Sequence, residues 1–180
     1  MRLLLDLQAA QSIHHQDRGI ARYATECARA LVATGRVERL LLNPTLPFPP
    51  ALPTDLLTSP LLAWNTAATV DGVGADAVYV VLSPMEGFRP TLMLPAHVSR
   101  RGWPLAVVVY DLIPTILGGT YLKGWLHRAH HQRLDLVRQA DLVLTISEHT
   151  RRDVVHHLDV EPGRVVVIGA GTSEWFRPPT

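Results

Sequence analysis

The chain has 180 residues, 17 Lys and Arg against 16 Asp and Glu for a formal net charge of +1, and 47% hydrophobic content. That length suits one domain and that apolar content fills a core, which excludes a disordered or collagen-like chain. The charge balance argues against a general nucleic-acid or anionic-membrane binder, and the lone Cys27 excludes an internal disulfide framework and suits a reducing compartment.

In chain order, Leu3 to Leu7 reads as the first strand. Asp6 interrupts this run, which is too short for a signal peptide. A polar stretch from Gln8 to Gly19 then opens into a helix, with Asp17 ahead of it and Gly35 as its stop signal. Ile20, Tyr23, Ala24, Cys27, Ala30 and Leu31 carry that helix's apolar stripe. Arg39 to Leu42 and Leu61 to Trp64 are the next strands. Between them, Asn43 to Pro60 holds six prolines, where a regular helix is nearly impossible. That segment reads as a surface loop or as a flap beside a ligand.

Ala77 to Leu82, Leu105 to Tyr110, Leu142 to Ile146 and Val165 to Ile168 complete the strands. Ala106-Val107-Val108-Val109 is apolar at consecutive positions, the signature of a strand buried on both faces. Leu126, Ala129, Leu134 and Val137 mark a second helix, and Thr150, Val154 and Leu158 a third before Pro162-Gly163. Strands alternating with helices predict an open, mostly parallel α/β sheet, Rossmann-like, with helices on both faces. No membrane span is expected: Leu105 to Leu117 is cut by Asp111 and Pro114 and falls short of the ~20 residues required. The domain is expected over 1–168. Residues 169–180, with Trp175, Phe176 and a double proline, read as a linker to a second domain or as a tail folded back on the first.

Ligands of open α/β sheets bind beyond the carboxyl ends of the strands. Three loops there carry chemistry. The helix start at Gly19, flanked by Arg18 and Ile20, presents unpaired N–H groups that suit a phosphate, although a lone glycine also makes a plain turn and the G-x-G-x-x-G fingerprint is absent. Asp111, at the end of the most buried strand, holds a substrate hydroxyl, acts as a base or merely caps the next turn. Ser147 and Glu148 suit a helix N-terminus, a sufficient structural explanation that stands beside a functional one. His14/His15, His130/His131 and His156/His157 are adjacent pairs, whose rings diverge by about 100° on a helix, so no metal site is expected. Cys27 reads as a core residue.

Taken in order, Asp6-Leu7-Gln8 with Gln11-Ser12, Arg18-Gly19-Ile20-Ala21-Arg22-Tyr23, Tyr110-Asp111-Leu112-Ile113-Pro114, Ala140 to Thr150, Arg164 to Gly171 and Phe176-Arg177-Pro178 form a set. That set resembles the N-terminal half of family 4 retaining glycosyltransferases, nearest to a subgroup that builds bacterial surface polysaccharides such as O-antigen, often with mannose. The resemblance implies a GT-B architecture, in which this acceptor-side domain faces a second domain holding most of a nucleoside-diphosphate sugar. It implies metal-independent transfer with no cofactor, through an oxocarbenium-like transition state. The expected partners are that second domain, the sugar donor, and a glycan or lipid-linked acceptor, at a cytoplasmic site on the inner face of the membrane and without nucleic acid.

By position, the resemblance assigns Arg18, Gly19 and Ile20 to the donor-phosphate loop, Gln8, Gln11, Ser12, Ser147 and Glu148 to the acceptor side, and Gly171 with Thr172 to the hinge. Asp111 matches the acidic residue of the crevice. The histidine that many relatives carry before that acid is Tyr110 here, a poor base near neutral pH with its pKa of about 10. Two alternatives remain open beside this reading. One is a stand-alone nucleotide- or phosphate-binding module; the other, a dinucleotide oxidoreductase, is disfavoured by the missing glycine fingerprint.

Overall fold

The structure is a computed structural model that describes residues 1–12, 19–49, 51–85, 94–122 and 124–171. Among these, seven strands form one all-parallel sheet: β1 (Arg2–Asp6), β2 (Val37–Leu42), β3 (Leu62–Trp64), β4 (Ala77–Val81), β5 (Leu105–Val109), β6 (Leu142–Thr145) and β7 (Val165–Val167). Their spatial order is β3-β2-β1-β4-β5-β6-β7, so the order reverses between β1 and β4. Every predicted strand is present, each to within a residue or two, and the open Rossmann-like sheet is the observed architecture.

Alternation along the strands divides the core. On β5, Leu105, Val107 and Val109 face one apolar layer, while Ala106 and Val108 face the other. All five are buried, which is why this strand shows no polar positions. The helices are α1 (Gly19–Ala33), α2 (Thr54–Leu57), α3 (Ala67–Val70), α4 (Ala96–Ser99), α5 (Ile113–Ile116), α6 (Gly118–Tyr121), α7 (Trp125–Gln139) and α8 (Glu148–Leu158). α1 and Leu56 of α2 cover one face. Val98 of α4, Leu134 and Val137 of α7, and Val154 and Leu158 of α8 cover the other.

α1 departs from its expected stripe. Its fully buried positions are Ala21, Ala24, Thr25 and Ala28, while Ile20, Tyr23, Cys27 and Leu31 flank them half-buried and Ala30 is exposed. The small residues let the helix axis lie close to the sheet, and the larger chains splay around the contact. Gly35, at φ +68°, ends the helix as expected, its N–H bonded to Val32 O. Asp17, the predicted cap, lies outside the described residues.

The proline-rich stretch holds one helical turn, correcting the expectation of none. α2 occupies the proline-free interval between Pro53 and Pro60, with Pro53 at its N-cap, where a missing N–H costs nothing. Asp55 of this turn meets Arg29 of α1 at 2.7 Å. On the α1 side of the sheet, cover thins toward its far edge: Leu142, Leu144 and Ile146 are half-buried, and Val166 and Ile168 are exposed. Among the described residues, no helix is long and apolar enough to cross a membrane.

Candidate functional site

Six strands are followed within two residues by a polar residue: Gln8 after β1, Asn43 after β2, Asn65 after β3, Ser83 after β4, Asp111 after β5 and Ser147 after β6. The result is a polar rim along one edge of the sheet, where an open α/β sheet places its ligands.

The half of the rim around the strand reversal is tied together by a buried network on Asp6. This carboxylate is 2% exposed and accepts three hydrogen bonds: Gln8 N at 2.9 Å, Gln8 Nε2 at 2.8 Å and the Tyr79 hydroxyl at 2.7 Å. Burial pushes its pKa above the ordinary value, and these bonds offset part of the rise. Burial and the Asp6 charge push the Tyr79 phenol well above its usual range, so it stays a donor. Asn65 Nδ2 donates to the Tyr79 oxygen at 2.8 Å, and His97 Nε2 lies 2.9 Å from Asn65 Oδ1. A carbonyl oxygen only accepts, so that histidine nitrogen carries the proton. The four groups therefore donate in one direction, from half-buried His97 to buried Asp6. Burial, with Arg100 and Arg101 nearby, lowers the His97 pKa and favours its neutral form.

The same network absorbs the predicted acceptor-side glutamines. Gln8 and Gln11 belong to a buried 3-10 turn, Gln8–Gln11, rather than an open loop. Asn43 Nδ2 donates to Gln8 Oε1 at 2.8 Å, and Asn43 N to Gln11 Oε1 at 2.7 Å. Gln11 Nε2 returns to Asn43 O and Pro47 O, both at 3.0 Å. Both side-chain amides thus face the protein and hold the β1 edge to the proline-rich segment. Ser12 closes the turn and is buried. Ser83, immediately beyond β4, is 2% exposed, and its hydroxyl has no hydrogen-bond partner among the described residues. An orphaned buried hydroxyl costs on the order of 1–3 kcal/mol.

The other half of the rim is built on β5 and β6. Tyr110 is buried; its hydroxyl donates to Leu82 O at 2.9 Å, and its ring meets Tyr23 edge-on at 5.2 Å. Asp111, one residue on, is half-buried, and its Oδ1 accepts from Ile113 N at 3.0 Å. The structure therefore keeps the carboxylate at the rim and turns the phenol inward. Ser147 caps α8, its Oγ accepting from Thr150 N at 3.1 Å, and Thr150 Oγ1 donates to Tyr110 O at 2.9 Å. Glu148 is exposed and pairs with Arg151 at 3.1 Å.

Gly19 begins α1, and among the described residues beyond its own chain neighbours and helix backbone nothing lies within 4 Å of where a Cβ would stand. Its neighbour Ile20 packs on the α1 core layer, and Arg18 lies outside the described residues. A cleft of about 220 Å³ opens beside these first turns, lined by Ala10, by Ala21, Arg22, Thr25 and Glu26 of α1, and by Ala51 and Pro53 of the proline-rich segment. Tyr23 of α1 donates to Gly169 O at 2.9 Å, joining that helix to the end of β7. Gly171 is exposed, and Thr172, Trp175 and Phe176 lie outside the described residues. Cys27 is half-buried against the core, and burial raises its thiol pKa. No group of three His, Cys, Asp or Glu able to hold a metal occurs among the described residues.

Reading the sequence for sites passes over Tyr79, Asn43, Asn65 and Ser83. Asn43, Asn65 and Ser83 share one detectable signal: each is the first or second polar residue after an apolar run. Tyr79 has none, because it sits inside a strand and its role depends on a residue 73 positions away.

No family model matches this chain. It is similar to the serotype-specific mannosyltransferase WbdA of Escherichia coli, with 24% identity over 207 residues, covering 98% of this chain and 24% of that protein. A second Escherichia coli protein of the same name is 26% identical over 108 residues, covering 59% of this chain and 13% of that relative. The chain thus spans about a quarter of the length of the curated relative it matches along nearly all of its own.

Proposed function

We propose that this chain is the acceptor-side lobe of a retaining, nucleotide-sugar-dependent glycosyltransferase that builds bacterial surface polysaccharide, with mannose the favoured donor sugar. The observation that carries the reading is the likeness to a mannosyltransferase along 98% of the chain, on a parallel sheet whose ligand edge is polar. In this reading 1–168 is the lobe, and 169–180 leads to a second lobe that holds most of a nucleoside-diphosphate sugar. Two features support an opposing surface. Ser83 offers a buried hydroxyl with no partner among the described residues, at the reversal of strand order, and apolar chains stand half-exposed on β6 and β7.

The proposed division of labour follows the rim. Asp111, oriented by Ile113 N, positions the acceptor hydroxyl. Tyr110 supports it from beneath through its bond to Leu82 O instead of exchanging protons. The α1 start at Gly19, with Arg18 and Ile20, closes on the donor diphosphate, and Gly171 with Thr172 supplies the hinge. Gln8, Gln11, Ser12, Ser147 and Glu148 shape the acceptor side, the first two by holding the rim together. The reaction needs no metal or cofactor, and the acceptor is a glycan or a lipid-linked sugar at the inner face of the membrane.

The test is transfer from nucleoside-diphosphate mannose to oligosaccharide and lipid-linked acceptors. It compares the 180-residue chain alone with a polypeptide joining it, after Thr180, to a second Rossmann-like lobe taken from a mannosyltransferase. Transfer by the joined protein alone is expected. Turnover by the single chain sinks the two-lobe reading, and tight binding of a nucleoside diphosphate without any transfer in either form favours a nucleotide-binding module.

A further inference from the structure

The start of α7 carries three histidines, and the structure separates them by direction. His130 is buried, with Nε2 2.8 Å from Thr115 Oγ1. His127 and His131, four residues apart and both exposed, bring their Nε2 atoms to 3.2 Å, with ring centroids 4.3 Å apart. Two such nitrogens cannot both carry protons at that distance, because the N–H groups would point at each other. Either one proton is shared or a cation takes its place.

We propose that His127 and His131 form a two-histidine seat for a divalent transition ion of the zinc, nickel or copper class, a site independent of the glycosyltransferase reading. With Zn–N bonds of about 2.0–2.1 Å, nitrogens 3.2 Å apart subtend about 100° at the metal, near the tetrahedral angle of about 109°. Adjacent histidines diverge, but those at i and i+4 share a helix face. Imidazole nitrogen suits zinc, nickel and copper, whereas magnesium and calcium prefer oxygen donors. Between Asp111 and Asp135 the sequence has no Asp or Glu. With no third metal-binding side chain grouped there among the described residues, the remaining positions go to water or an oxyanion. The site is therefore open and exchangeable, unlike a closed structural zinc site. Because α7 follows β5 and runs back toward the start of β6, its first turns lie at the same sheet edge as Asp111.

Calorimetric titration of the 180-residue chain with zinc chloride and nickel chloride, in a non-coordinating buffer, tests this directly. One saturable site with micromolar affinity is expected, and magnesium chloride should give no binding heat. His127→Ala and His131→Ala should each weaken zinc binding at least about tenfold while leaving the far-ultraviolet circular dichroism unchanged. His149→Ala on α8 should bind as the wild type does. Zinc should also raise the unfolding temperature of the wild type but not of His127→Ala, because an ion spanning one helical turn clamps the folded helix. Absence of saturable zinc binding below millimolar, or unchanged affinity in His127→Ala, overturns the proposal.

Discussion

The Tyr79 hydroxyl donates to Asp6 Oδ2 at 2.7 Å, joining β4 to β1 where the strand order reverses. Tyr79→Phe removes that donor and also strands Asn65 Nδ2, which points at the Tyr79 oxygen. The expected loss is about 1–3 kcal/mol in urea unfolding, the cost of leaving buried polar groups unpaired. A variant as stable as the wild type would show that the network is incidental to the fold.

His130 makes stability depend on pH. Burial, then the neighbouring His131, Arg133 and His127, lowers its pKa to about 4, well below the unfolded value near 6.5. Between those values the unfolded chain binds more protons, so stability is fully present above about pH 6.5 and declines as pH falls toward 4. His130→Gln, which can still bond to Thr115, should flatten that slope by on the order of 2 kcal/mol. Unfolding midpoints measured between pH 4 and 7 for both proteins decide it.

Ser147 satisfies an otherwise unpaired N–H at the start of α8. Ser147→Ala should cost about 1 kcal/mol in thermal unfolding, and Ser147→Asp should recover most of it, since aspartate caps equally well. If both variants fail alike, the hydroxyl has a role beyond capping.

Asp111→Asn separates chemistry from support. Asparagine still offers an oxygen to Ile113 N, so the unfolding temperature should stay constant. In the two-lobed protein, sugar transfer should fall by about 100-fold, because the neutral amide holds the acceptor hydroxyl less firmly than the carboxylate, and misplacing a reacting group costs about that much. Unchanged transfer would reduce Asp111 to a turn cap.

Much of the fold is legible from residue order because both signals are local. β5 shows itself by consecutive apolar residues, and α8 by Ser147 ahead of Thr150, Val154 and Leu158. α1 is harder to read: its larger apolar residues suggest a stripe, yet its alanines make the contact, because closeness of approach to the sheet is a tertiary property. The site is legible in outline only. Asp111 and Ser147 follow recognisable runs, but the inward turn of Gln8 and Gln11 depends on Asn43, 35 and 32 residues away.

Residue order alone determined where the seven strands and the three long helices form and that β5 is buried on both faces, since periodicity and turn chemistry act between near neighbours. Only the tertiary structure decided which polar groups are spent inside the protein and which remain at the rim. A buried donor or acceptor must find a partner wherever the chain brings one, and for Asp6, Tyr79, Asn65 and His97 those partners come from β1, β4, the residue that follows β3 and α4.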